Sequence, residues 1–526
     1  MAKILFINPR IREQHPARHI PYGIALLASV CRDEGHQVAI YDENAWRKGQ
    51  DTIKEVILAD DWDVIGIGGL TTTYGNIKET CQLIKQVLPN VLLIAGGGFI
   101  TSMPKDIMNW VKEIDLGVLG ESFITIKVIL EKVDKKDFDF SKTLGVIYRK
   151  EDESCVMTNV RPSIADLDTI PYPAWDLLPM DIYFENSSLP YSEEAFTSKR
   201  RIDINGSYGC GMICRYCWHL GTTGDMLIEK DESGENDVRF SYGRNIRYHS
   251  PKYIVDQVKK MVELYDIDFV GFLDENLFTM DAYSKKTWLK EICRLWIEAG
   301  LQPTCRRDGV PHDENCKGVH WSGTSHAGLH DTETIKMMGE AGCSYLIYGL
   351  ETFDKKLVRT IGKGASANQN LNAVKVCLDG GVRPIPNIII GFPEETFDSV
   401  RNNIHALLKL GIHSRPHLAT PYPGSEWYYT YKESIKEQYN GDLEQFILEL
   451  GDTTNPSGVI SHKFSAMDLV GLQEIVHQRD LRLLDQAERT WGNGDPDFCK
   501  NVAIPNLKPW NILRKKVAAP LEEVSK

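Results

Sequence analysis

Two runs of short apolar strands, each alternating with amphipathic helices, constrain this chain more than any other feature. The first run occupies residues 1–150. KILFIN reads as a strand, Tyr22 to Glu34 has helical periodicity and stops at Gly35, and QVAIYD is a second strand. DVIGIGGL, NVLLIAGGG and LGVLGE follow as further strands, with a helix through Val87 after the first of these. Continuous apolar strands separated by helices predict a parallel sheet covered on both faces. This is a doubly wound α/β domain, with ligands expected at the carboxyl ends of its strands.

Prolines punctuate residues 151–196, where IPYPAWDLLP predicts an ordered but irregular connector. A second series runs from Arg201 to about Thr420, through RIDINGS, DFVGFLD, VHWSGTSH, SYLIYGLE, RPIPNIIIG and HSRPHLAT. Six such β/α units predict a parallel barrel, or part of one, over residues 197–425, with chemistry at the strand C-termini. The acidic stretch from Glu229 to Asp237 reads as a surface loop, and residues 426–526 have helical patterning. No repeat or low-complexity tract interrupts this order.

The whole chain excludes several classes. A net charge of −13 argues against general affinity for a nucleic acid backbone. No apolar run reaches the ~18 residues of a membrane span. The opening MAKILFINP has too short an apolar core for a signal peptide. Twelve scattered cysteines in 526 residues do not make a disulfide scaffold, so a reducing cytoplasm is expected.

Three of those cysteines are not scattered. SYGCGMICRYCWHLG spaces Cys210, Cys214 and Cys217 as C-x3-C-x2-C at the end of the first strand of the second series. Thiolates are the natural ligands of iron–sulfur clusters. Three of them on a four-iron cube leave one iron open to a small molecule. The alternatives are a zinc site, which needs a fourth ligand such as His219, or reactive thiols.

This motif, with an aromatic before its last cysteine, resembles the radical S-adenosylmethionine superfamily. The resemblance implies a 4Fe–4S cluster on Cys210, Cys214 and Cys217, with S-adenosylmethionine chelated at the open iron and Tyr216 against the adenine. It places Asp274, Glu275 and Asn276 of GFLDENLF near the amino or ribose groups. It also places Glu351 of YGLET near the ribose hydroxyls and Gly391 of NIIIGFPEET against the adenine. Singly, each carboxylate is as readily a helix cap or a solvated group; their order along one β/α series carries the weight. Tyr208, His219, Glu275 and Tyr348 all fall where a general base would stand, and none is assigned. Cys305, His312 and Cys316 lie in a polar insertion, with His320, His326 and His330 after it. Their spacing matches no standard metal template, so a second metal site stays open. Cys31, Cys81, Cys343 and Cys377 have core-like surroundings and are expected to pack.

In the first domain, Gly96, Gly97 and Gly98 follow a buried strand, and Thr71, Thr72 and Thr73 offer hydroxyls beside them. The glycines do not form G-x-G-x-x-G after the first strand, so a dinucleotide site is a poor reading. Ahead of a radical domain, this half is similar to the flavodoxin-like domain of the cobalamin-dependent class. The resemblance implies cobalamin contacts at Thr71–Tyr74, Gly96–Phe99 and Gly120–Glu121. The D-x-H-x-x-G motif is absent, which leaves the lower cobalt ligand unassigned. The implied activity is methylation of an unactivated carbon, or of phosphorus, in a small molecule, through methylcobalamin and a 5′-deoxyadenosyl radical. An external one-electron reductant of flavodoxin or ferredoxin type would be needed. Oxidative cyclisation or ring rearrangement is the alternative on the same scaffold, and a non-catalytic metal- or cobalamin-binding protein a more distant one.

Overall fold

The computed structural model describes residues 1–491 apart from residues 14, 219–223, 231–233 and 452–455. His219, weighed above as a zinc ligand and as a base, lies outside the described residues.

The first domain is built on a seven-stranded sheet. Its strands are β1 (Lys3–Asn8), β2 (Gln37–Asp42), β3 (Val64–Gly68), β4 (Leu92–Gly96), β5 (Leu116–Val118), β6 (Val146–Arg149) and β7 (Cys155–Met157). They lie in the order β2-β1-β3-β4-β5-β6-β7. The first five are mutually parallel, as their two-sided apolar character requires. The strand order reverses between β1 and β3, which opens a ligand crevice at their carboxyl ends. An antiparallel hairpin, β6 and β7, closes the far edge. The sheet therefore runs past residue 150 into the stretch read as connector.

Alternate residues of these strands feed two different cores. Ile4, Phe6, Val64 and Ile94 pack with the helices Tyr22–Asp33 and Phe123–Asp134, in a core continuous with that of the second domain. Leu5, Ile7, Ile65, Ile67 and Leu93 face the other way, toward the helix Tyr74–Val87. That second core also takes in Tyr428, Ile435, Phe446 and Ile447 from the helices Glu426–Gln438 and Leu443–Glu449. The chain thus returns after the barrel to cover the first domain.

The second domain holds a six-stranded sheet. Its strands are β8 (Arg201–Ile204), β13 (Phe269–Phe272), β14 (His320–Ser325), β15 (Cys343–Glu351), β16 (Arg383–Ile390) and β17 (His417–Leu418). They are parallel and pair in sequence order, so this is an open partial barrel. Every carboxyl end therefore reaches the same mouth. Helices on its outside start at side-chain caps, Ser250 before Pro251 and Thr396 before Phe397 among them.

Four further strands, outside this sheet, lie between β8 and β13. β9 (Ser207–Tyr208) pairs with β12 (Arg247–Tyr248), and β10 (Gly224–Lys230) with β11 (Asn236–Arg244). The ladder of the second pair extends to Glu229 opposite Asp237 and Lys230 opposite Asn236. The ends of the acidic stretch expected to be a loop are thus strand ends, because charged side chains do not stop Met226 to Lys230 from pairing through their backbone. The last described helices, Ala466–Gln478 and Leu481–Trp491, pack against the barrel helix Phe397–Leu410. Among the described residues no helix is long and apolar enough to cross a membrane.

Candidate active site

The loop after β8 carries the three cysteines. Cys210 and Cys214 are buried, Cys217 is half-buried, and none of the three is in a disulfide. Backbone bonds shape the loop: Cys217 N donates to Cys214 O at 3.1 Å, and Arg215 N to Ile361 O at 3.0 Å. Asn276 caps the helix Leu277–Tyr283 by accepting from Phe278 N at 3.1 Å. Its amide donates to Thr279 Oγ1 at 3.0 Å, and that hydroxyl lies 3.8 Å from Cys210 Sγ. Asn276 therefore positions the first cysteine through Thr279.

The donor set suits an iron–sulfur cluster. Burial pushes the Cys217 thiol up, and charges on Cys214, Cys210 and Glu275 push it further. Burial likewise raises Cys214, against the pull of Lys363. Three thiolates do not share such a recess unaided; a cationic centre makes the charged form favourable. Among the described residues, these three sulfurs are not part of any donor group drawn within 4.8 Å, as ligands of a single ion would be.

Asp274 and Glu275 take different places. Asp274 is buried, accepting from Gly206 N at 2.9 Å and from the Ser207 hydroxyl. It pins the start of the cysteine loop. Burial raises its pKa to about 6. Its contribution to stability is therefore greatest below the unfolded value of ~3.9 and declines as pH rises toward the folded one. Glu275 keeps an exposed surface, yet protein surrounds it closely enough to push its pKa up to about 8. Its carboxyl is close enough to Cys217 for its charge to act on that thiol.

Glu351 ends β15 at φ +61°, a left-handed conformation uncommon for a residue with a side chain. It accepts from Tyr216 Oη at 3.0 Å and from Lys363 Nζ at 3.1 Å. All but 5% of the Lys363 side chain and 7% of the Glu351 side chain is buried, so the pair is an internal ion pair. Lys363 escaped the sequence reading; its only signal was the flanking Gly362 and Gly364. A Cβ at Gly362 would stand 2.8 Å from Ile213 O, and one at Gly364 3.3 Å from Met212 Sδ. Those glycines let the Lys363 loop press against the cysteine loop. His326 donates from Nε2 to Lys363 O at 2.7 Å while its Nδ1 accepts from Gly328 N at 3.1 Å, so it is neutral and holds that loop.

Gly391 follows β16 at φ +91°. A Cβ there would meet Leu469 Cδ1 at 3.0 Å, and its N–H donates to Glu395 Oε2 at 2.8 Å. Tyr348 is wholly buried in the barrel core. Tyr208 lies under the Arg247 guanidinium, 5.5 Å from its ring centre.

The loops of the first domain come to the same place. Trp218, directly after Cys217, donates from Nε1 to Ser102 Oγ at 2.6 Å. A Cβ on Gly98 would lie 3.1 Å from the Trp218 ring, so the two loops touch. Gly97 is exposed at φ +90°, and a Cβ on Gly96 would point into open space. Leu70 is 55% exposed beside them. The strip is thus open at Gly96 and partly apolar at Leu70. Of the flanking residues, Thr71 is buried, Thr72 half-buried, and Thr73 caps its own turn through Leu70. Tyr74 is buried with its hydroxyl on Glu444, and Phe99 is core. Gly120 turns at φ +70°, and Glu121 pairs with Arg247 at 2.6 Å, joining the two domains.

A doubly wound domain set over the mouth of a partial barrel, with a three-cysteine loop between them, defines an enzyme that works through bound cofactors. A family model for the B12 binding domain matches residues 13–130, and one for the radical SAM superfamily matches residues 204–407. The chain belongs to the cobalamin-dependent radical S-adenosylmethionine enzymes, whose cofactors are a 4Fe–4S cluster, S-adenosylmethionine and cobalamin. An uncharacterized methyltransferase of Pyrococcus horikoshii is 27% identical over 417 residues, 79% of each chain. An anaerobic magnesium-protoporphyrin IX monomethyl ester cyclase of Rubrivivax gelatinosus is 23% identical over 455 residues, 83% of this chain and 72% of that one. The structure of TsrM, a radical S-adenosylmethionine methyltransferase from Kitasatospora setae with cobalamin and cluster bound, has the same fold. Its TM-score is 0.60 at 17% identity, over 83% of this chain and 76% of that one.

Proposed function

We propose that this protein methylates an unactivated carbon, or phosphorus, of a small molecule. The supporting observation is the contact of Trp218 with Gly98 and Ser102, which brings the cysteine loop and the glycine loop to one gap. When bound, the cluster with S-adenosylmethionine supplies a carbon-centred radical, and cobalamin supplies the methyl group. The chain's own residues position both and exclude water. Cys210, Cys214 and Cys217 hold the cluster. Tyr216, Glu275 and Glu351 line the S-adenosylmethionine side, with Asp274 and Gly391 fixing the loops behind them. Gly96 and Gly97 with Leu70 seat the corrin, and Thr71–Tyr74, Phe99, Gly120 and Glu121 shape that seat. The reductant is an external flavodoxin- or ferredoxin-type protein, and the working compartment is the cytoplasm.

The test is transfer of labelled methyl from S-adenosylmethionine into product under anaerobic turnover. Labelled product is expected. Unlabelled product formed together with 5′-deoxyadenosine would overturn methylation in favour of oxidative cyclisation, the second reading, which a relative named as a cyclase supports.

The corrin seat has its own prediction. Gly96 has no neighbour within 4 Å of a Cβ, so Gly96→Leu costs the fold little and fills the open strip. The variant is expected to keep its cluster and its melting temperature but to lose cobalamin, read from its optical spectrum after reconstitution. Full cobalamin occupancy in that variant would move the seat elsewhere.

A further inference from the structure

The insertion between β13 and β14 brings together four side chains that the radical chemistry leaves unused. Cys305 lies in the short helix Thr304–Asp308, His312 and Cys316 in the loop after it, and His320 opens β14. One donor atom from each lies within 4.8 Å of all the others, the one such group among the described residues. We propose that Cys305, His312, Cys316 and His320 hold a structural zinc ion at the pole of the barrel opposite the active site.

The distances suit that ion. Cys305 Sγ is 3.6 Å and Cys316 Sγ 3.8 Å from the same atom, His320 Nε2. Tetrahedral zinc with sulfur at ~2.3 Å and nitrogen at ~2.0 Å has donor–donor edges of roughly 3.3–3.8 Å. The His312 and His320 rings stand at 86°, with centres 5.2 Å apart, so they do not stack.

The surrounding groups orient the donors. Ser344 Oγ lies 3.3 Å from His320 Nδ1, which leaves Nε2 free to face the sulfurs. Thr197 Oγ1 lies 2.9 Å from His312 Nε2, while His312 Nδ1 is buried with no hydrogen-bond partner. A buried ring nitrogen without a partner is what a missing ligand bond leaves. Thr304 donates to Cys316 Sγ at 3.5 Å. His326 and His330, the other histidines of this stretch, are not in the group.

Four protein donors with no open position make a structural site rather than a catalytic one. Soft thiolates with imidazoles in a tetrahedral set select zinc over harder cations. The position agrees, because the amino ends of barrel strands serve stability. Thr197 ends the helix Glu193–Thr197, and Glu194 of that helix pairs with Arg306 at 3.1 Å. The ion would fasten the connector and the insertion to the base of the barrel.

The experiment uses the full chain with Cys210, Cys214 and Cys217 all replaced by alanine, so that no cluster thiols compete and the result does not depend on the proposed reaction. One zinc per chain is expected after dialysis against EDTA, with an X-ray absorption edge fitting two sulfur and two nitrogen ligands. Adding Cys316→Ala, or His312→Ala on its half-exposed loop, is expected to release the zinc under the same dialysis and lower the melting temperature. Absence of zinc from the parent chain, a Cys305–Cys316 disulfide found by mass spectrometry, or zinc that both variants retain would each overturn the site.

Discussion

Cys214→Ala is expected to abolish cleavage of S-adenosylmethionine while cobalamin stays bound. The thiol sits between Cys210 and Cys217 in sequence and is buried with Lys363 nearby. Removing it leaves two protein ligands for a cluster that needs three with one iron open. The loop itself should persist, because its shape rests on the backbone bonds from Arg215 N and Cys217 N rather than on the sulfur. The glycine loop of the first domain does not use Cys214 at all. The expected readings are iron content falling toward zero, no 5′-deoxyadenosine above the enzyme-free control, and an unchanged cobalamin spectrum. Continued 5′-deoxyadenosine formation would remove Cys214 from the ligand set.

Lys363→Met is expected to destabilise the radical domain severely. It leaves the Glu351 carboxylate, only 7% exposed, with the Tyr216 hydroxyl as its remaining partner. Breaking a buried ion pair from one side costs about 3–5 kcal/mol, most of it the desolvation of the charge left behind. At ~2–4 °C per kcal/mol for a domain of this size, the melting midpoint should fall by roughly 10 °C. Replacing both partners, Lys363→Met with Glu351→Gln, removes both charges and should recover most of that loss. Recovered stability without recovered S-adenosylmethionine cleavage is the expected split, because Glu351 and Tyr216 stand at the mouth. A single variant that melts with the wild type would mean the pair is solvated. A stable double variant with full cleavage would confine the pair to the fold.

Most of the architecture was readable before the structure, for local reasons. Strands such as VIGIG and LLIAG are apolar on both faces, and a strand of that kind has only one environment, a sheet covered on both sides. The β6–β7 hairpin was harder, since VIYR and CVM are short and become strands only by pairing at the sheet's edge. The pairing of Glu229 with Asp237 was hidden for the same reason: charge predicts exposure, and a two-stranded ribbon can be exposed and regular at once. In the site, Cys210, Cys214 and Cys217 announced themselves by spacing. Asp274 and Glu275 are adjacent and alike in sequence, yet one is fastened inside the fold and the other keeps an exposed surface. Period-two alternation at a strand end does not say which.

The sequence by itself determined the cysteine loop, the succession of two β/α domains and the order in which functional strand ends follow one another. Those are properties of neighbouring residues, and neighbours along the chain are what a sequence records. Only the tertiary structure decided that Lys363 completes an ion pair with Glu351, and that Trp218 closes against Gly98. It alone gathered Cys305, His312, Cys316 and His320 around one point, although their spacing follows no familiar pattern. Each of these depends on where a loop lands after the barrel strands come side by side. That placement is set by the packing of the whole domain, which no local window contains.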